Sequence, residues 1–182
     1  FYIDQESFGE VQYRQETDAG DFSARIFGGD YRFWGSAVLS GPVLNSDDAR
    51  GSWYGLELRR GLRLGIHHHL VAGLEYQNNY RQFQTMYDDL PYTVYLDRDV
   101  STRKLGLYLQ DDWTLSEQWS ATLGMRYDSV DPSYANRQGE FSPRLALIYR
   151  PGSQSTLKLL YGHAFRAANV YESQYFYPFD PA

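Results

Sequence analysis

The chain has no cysteine among its 182 residues, which excludes disulfide frameworks and thiolate metal centres while leaving the redox compartment open. Basic side chains are the minority, 17 against 23 acidic ones, for a net charge of −6. That balance disfavours nucleic acid as a partner, because a phosphate-tracking surface needs a basic excess. Long apolar runs are missing as well: no stretch approaches the roughly 18 to 20 residues that a membrane helix requires. The opening Phe1-Tyr2-Ile3-Asp4 lacks an initiator Met and the basic and apolar regions of a signal peptide, so the chain reads as a mature protein or a piece of one.

What is abundant is aromatic. Seventeen Tyr, ten Phe and four Trp occur in a chain of mean hydropathy −0.57. The second half also alternates apolar and polar at every second residue, which is the period of a strand. Four segments are clear: 104–113, 119–128, 141–150 and 156–166. One face of these takes Leu105, Leu107, Leu109, Asp111 and Trp113, then Trp119, Ala121, Leu123, Met125 and Tyr127. It continues with Phe141, Pro143, Leu145, Leu147 and Tyr149, then Leu157, Leu159, Tyr161, His163 and Phe165. Only Asp111 and His163 break its apolar character. The opposite face carries Gln110, Asp112, Thr122, Arg126, Asp128, Ser142, Arg144, Lys158 and Arg166, with Gly106, Gly124 and Gly162 among them.

Two weaker pairs precede these strands. Residues 51–62 and 70–82 flank a turn near 65–69, and residues 8–16 and 22–34 flank a turn at 18–21, with a bulge expected at Gly28-Gly29. Short turns at 115–118 and 151–154 alternate with expected long loops at 35–50, 83–101, 129–140 and from 167 onward. Eight antiparallel strands with strictly alternating short and long connections predict an all-β transmembrane barrel wall. A soluble sandwich also alternates and is the competing architecture. The aromatics favour lipid. Trp113, Trp119 and Tyr149 lie beside the short turns, and Tyr127, Phe141 and Phe165 toward the long loops, as two interfacial girdles. From Trp119 to Tyr127, about 3.3 Å per residue at a tilt of about 40° gives about 20 Å along the membrane normal, close to an apolar band.

Five motifs then fall in a familiar order: Leu107-Tyr108-Leu109-Gln110-Asp111-Asp112-Trp113, Leu123-Gly124-Met125-Arg126-Tyr127-Asp128, Ser142-Pro143-Arg144-Leu145-Ala146-Leu147-Ile148-Tyr149-Arg150-Pro151, Leu157-Lys158-Leu159-Leu160-Tyr161-Gly162, and Phe165-Arg166-Ala167 with Tyr171-Glu172. Together they resemble the barrel motifs of TonB-dependent outer-membrane receptors. Trp53-Tyr54-Gly55-Leu56-Glu57-Leu58 and Gly73-Leu74-Glu75-Tyr76-Gln77-Asn78-Asn79 look like upstream strands of the same family. Ala168 departs from it, standing where the family usually has Pro.

The resemblance implies a bacterial outer-membrane importer of a scarce nutrient such as a ferric siderophore, haem or cobalamin. Energy would come from TonB through an N-terminal plug. On this reading residues 1–182 are a partial barrel domain, about eight of roughly 22 strands, with the plug and the C-terminal strands outside the chain. Its surroundings would be outer-membrane lipid, TonB and a small metal chelate or similar nutrient. The alternatives are a small self-contained structural or adhesive barrel and, third, an outer-membrane hydrolase.

Among candidate sites, Arg126, Arg144, Lys158 and Arg166 stand against Asp112 and Asp128 on the wet face, a local cationic surplus that could draw an anionic chelate. Ion pairing within the lumen is the competing and more economical account of them. His67-His68-His69 suggests a metal by residue type, but neighbouring strand residues point to opposite faces. The segment from Tyr87-Asp88-Asp89 to Asp97-Arg98-Asp99 is rich in carboxylate and Tyr without a twelve-residue calcium pattern, and reads as a solvated acidic loop. No enzyme, cofactor or metal is expected: Ser142 and His163 fall on opposite faces by parity, and no nucleophile elbow or phosphate-cradling glycine loop is present.

Overall fold

The computed structural model describes residues 1–175. Eight strands run in chain order through one antiparallel sheet: β1 (Tyr2–Thr17), β2 (Gly20–Ser40), β3 (Val43–Leu64), β4 (His68–Asp88), β5 (Thr93–Thr114), β6 (Trp119–Pro132), β7 (Gln138–Gly152) and β8 (Ser155–Gly162). A single short helix, α1 (Val170–Gln174), follows. The sheet is open, with β1 and β8 as its two edges among the described residues.

The period-two reading survives as register. Leu74, Leu107 and Tyr127 stand opposite one another across β4, β5 and β6, and the line continues to Phe141 on β7. The apolar face therefore continues from β4 to β7 and meets no second layer among the described residues. Leu107, Leu123 and Leu159 stay 43%, 48% and 65% exposed. Among the described residues the buried hydrophobic core is confined to Val71, Leu96 and Val170. A sandwich would have packed this face against another sheet, so the soluble alternative lacks its defining layer. At the short-turn end the girdle is built from stacked rings: Trp119 on Tyr149 at 4.3 Å between centroids, and His68 on Trp113 at 5.2 Å.

Three expectations are corrected. The segments 35–50 and 83–101 are not loops: β2 and β3 continue outward to a turn at 41–42, and β4 and β5 to a turn at 89–92. Beyond the apolar band both sheet faces meet water, so the alternation that marks a strand disappears while the backbone ladder continues. Gly28-Gly29 is not a bulge. The ladder runs unbroken through Gly28↔Tyr54 and Gly29↔Trp53, and the residues are small because a Cβ at Gly29 would lie 2.6 Å from the Ser7 carbonyl oxygen. Register shifts fall instead at Val38/Ser40, Ser52/Trp53, Asn79/Gln82, Met86/Tyr87 and Tyr149/Gly152. Finally, β8 ends at Gly162: the His163 amide still donates to the Pro143 carbonyl at 3.0 Å, but Phe165 and Arg166 leave the sheet and its parity. The part of the last expected loop beyond residue 175 lies outside the described residues.

Candidate functional site

The polar face is organised around one ladder row. Arg25, Glu57, Glu75, Gly106 and Asp128 are successive cross-strand partners on β2, β3, β4, β5 and β6. Directly opposed like charges destabilise a sheet, and Glu57 faces Glu75 in this row. Two cations offset them. Arg25 sits between Glu10 at 3.1 Å and Glu57 at 2.9 Å. Arg126 comes from the neighbouring row, reaches Glu75 at 2.6 Å, and donates to both oxygens of Asp128 at 2.9 Å.

That second clamp depends on a missing side chain. Gly106 lies between Glu75 and Asp128, and the Arg126 guanidinium occupies the space a Cβ there would need. The same device recurs at Gly73, covered by the Tyr108 ring, and at Gly124, covered by the stem of Arg144. Nearer the short turns, Asp112 accepts from Thr122 at 2.7 Å and from Gln110 at 3.0 Å. Asp21 pairs with Arg59, and His69 stands 3.9 Å from Asp21 and 3.8 Å from Asp112. A cavity of about 520 Å³ lies over this wall, lined from Arg25 on β2 to Asp128 on β6 and closed on one side by residues 165–167.

Of the four cations read from sequence, the structure gathers two on one wall. Arg126 and Arg144 line a common hollow with Arg59, His69 and Tyr108. Lys158 stands on the edge strand β8, exposed. Arg166 lies off the sheet and donates two bonds of 2.8 Å to Glu172. Pairing thus accounts for Arg126 and Arg166, whereas Arg144 and Lys158 have no ion pair among the described residues. Arg25, Glu57 and Glu75 were missed, since charge was weighed only along the second half. Their signal was available in sequence, as charges at alternate positions opposite Ile26, Leu58 and Leu74.

The three consecutive histidines diverge. His67 contacts the Thr114 carbonyl at 2.9 Å, His68 contacts Asp111 at 2.7 Å on the apolar face, and His69 takes the polar face. Asp111, the charge that breaks the apolar face, is explained by that His68 contact at the girdle. In the acidic segment, Asp88 is engaged by Asn45 at 2.9 Å and by the Tyr95 hydroxyl at 2.5 Å, inside the extended hairpins and not in a solvated loop. Ser142 Oγ is buried without a hydrogen-bond partner among the described residues, and His163 turns toward Glu140 at 3.8 Å. Ser142 and His163 therefore do not form a nucleophile and base pair.

The sequence matches the family described as TonB dependent receptor-like, beta-barrel, over residues 2–181. Among solved structures the fold resembles that of the unliganded ferric citrate transporter FecA, with a TM-score of 0.69 and 17% identity, covering 86% of this chain. The chain spans 27% of that transporter, and at this identity the likeness concerns the fold. No curated protein matches.

Proposed function

Because the chain belongs to the TonB-dependent receptor β-barrel family, we propose that it is part of the wall of an outer-membrane importer of a scarce nutrient, energised through TonB. The observation that carries this reading is the division of one sheet into a continuous apolar face without a covering layer and a polar face ordered into ion-paired rows. Lipid suits the first and a water-filled, plug-containing lumen the second. On this reading residues 1–182 are a partial barrel domain of a roughly 22-stranded wall, and the plug that would meet TonB lies elsewhere in the protein.

The family is one of transport receptors, and the chain's part in import is to hold a shaped, charged channel wall and to bind, not to react. Arg126, Arg144, Lys158 and Arg166 are the candidate ligand-side cations. Arg144 is the strongest of them, since it faces a hollow without a competing carboxylate partner. A ferric siderophore, haem or cobalamin is the proposed class of cargo. The small self-contained barrel is disfavoured, because the eight strands among the described residues form a sheet that does not close.

The test is uptake by cells carrying or lacking the complete gene, each with and without functional TonB, offered radiolabelled ferric citrate, ferric hydroxamate and catecholate siderophores, haem and cobalamin. Loss of one class of uptake in both the receptor and the TonB deletions is the expected result. Unchanged uptake across the whole panel would remove the importer reading.

A further inference from the structure

The apolar face extends onto β3, where one position breaks it. Leu58 faces Leu74, Leu62 faces Leu70 and Leu64 faces His68 across the ladder to β4. Between Leu58 and Leu62, at the same parity, stands Arg60, with Phe22 as its partner on β2 and Ala72 on β4. Its chain neighbour Arg59 takes the polar face, where it pairs with Asp21, so the parity of Arg60 is fixed. Arg60 is exposed, as is Ala72, and it has no ion pair or side-chain hydrogen bond among the described residues.

A guanidinium does not shed its proton among leucines, so this charge calls for an anion. Asp111 on β5, in the row of Leu62 and Leu70, is the carboxylate this face offers nearby. His68 already engages it at 2.7 Å, and its second oxygen is buried, closed to an approaching group. A second copy of the chain docked here would bring the same occupied Asp111 and another Arg60, so that like charges met. What otherwise touches this face is lipid.

Height selects the part of the lipid. Arg60 precedes Leu64 by four positions, about 10 Å along the membrane normal at about 3.3 Å per residue and a tilt of about 40°. The Leu64 row carries His68 and Trp113, whose rings stack at 5.2 Å in the girdle that marks the headgroup level. Long cationic side chains in an apolar band extend toward that level, and the small Ala72 leaves room beside this one.

We infer that Arg60 is a phospholipid anchor: its guanidinium, extended toward the short-turn girdle, binds the phosphate of an anionic phospholipid whose acyl chains lie against Ala72 and its β5 partner Leu109. The planar fork suits two phosphate oxygens at once. An anionic lipid balances the charge, whereas a zwitterionic one brings its own cation. The inference rests on the membrane reading of the apolar face and adds a specific lipid partner, at a place separate from the lumen-side cations.

The experiment uses the complete receptor, refolded into vesicles of phosphatidylcholine mixed with phosphatidylglycerol, extracted into detergent and weighed by native mass spectrometry. Phosphatidylglycerol adducts on the native receptor should exceed phosphatidylcholine adducts at least fivefold. Arg60→Gln should bring that ratio close to one, and Arg60→Lys, a point charge without the fork, should leave it intermediate. Arg60→Leu suits lipid by itself and serves as the neutral variant should Arg60→Gln fail to fold. A preference for phosphatidylglycerol unchanged in the neutral variant would overturn the anchor, as would an Arg60-dependent dimer in place of a lipid adduct. Failure of the native receptor to insert into the vesicles at all would overturn the membrane reading, and the anchor with it.

Discussion

The guanidinium of Arg126 lies over Gly106, the one position without a side chain in the row Arg25, Glu57, Glu75, Gly106 and Asp128. Through that gap a β6 cation reaches across β5 to a β4 carboxylate. Gly106→Ala should therefore displace Arg126 and uncouple it from Glu75 and Asp128. For such partly exposed pairs we expect a loss of about 1 to 3 kcal/mol, measured by denaturant unfolding of the complete barrel in detergent. Arg126→Ala should cost a similar amount, and the double variant little more than either single one. Additive losses would show that Gly106 and Arg126 act independently.

The assignment of faces makes a sharper distinction. Arg introduced at Leu107, Leu123, Leu147 or Leu159 should cost roughly 2 to 4 kcal/mol near the bilayer midplane. Ala146→Arg, on the polar face opposite Thr122, should be tolerated far better. Refolding into lipid vesicles across a urea series reads the difference, and equal penalties would mean that the faces are misassigned.

Alternation of the sheet's two ends predicts sidedness. In intact cells an impermeant thiol reagent should reach a cysteine at Asn136, in the connection 133–137, but not one at Glu117 or Ser153 in the short turns. Labelling of Glu117→Cys before the outer membrane is disrupted would invert the orientation.

Expressed alone, the 182 residues should not give a stable water-soluble monomer. The apolar face is uncovered, and β1 and β8 present unpaired edges among the described residues. Size-exclusion chromatography in detergent-free buffer should show aggregate. A monodisperse, cooperatively unfolding monomer would count against the membrane reading.

The Arg166–Glu172 pair after β8 has a defined acid limit. The Arg166 guanidinium and the Asn169 amide pull the Glu172 carboxyl down from its ordinary 4.5 to about 2. A depressed carboxyl stabilises the capped start of α1 fully above its unfolded pKa, and that contribution is lost as pH falls from about 4.5 through about 2. A nitroxide at the exposed Ala168 should stay restrained from pH 7 down to about 5 and gain mobility only below that window. Loosening that begins near pH 6 would point to another group, and Glu172→Gln should remove the acid transition.

The sequence by itself determined the strand period, the two-faced sheet and the short turns, because each is written in neighbouring residues. Apolar side chains at every second position suffice to place Leu107, Leu123 and Leu147 on one surface. The hairpin extensions were not legible, since where both faces meet water nothing selects alternating residues, and only the pairing of Asn45 with Asp88 or Gln84 with Arg98 reveals a ladder. Nor could sequence join Arg126 to Glu75, 51 positions away. Strand order brings β4 and β6 to either side of β5, and the absent side chain of Gly106 lets the cation cross. The segment after β8 divides in the same way: Arg166, Asn169 and Glu172 are local and bond to one another, but the placing of residues 165–167 beside the hollow is set by the wall that five other strands build.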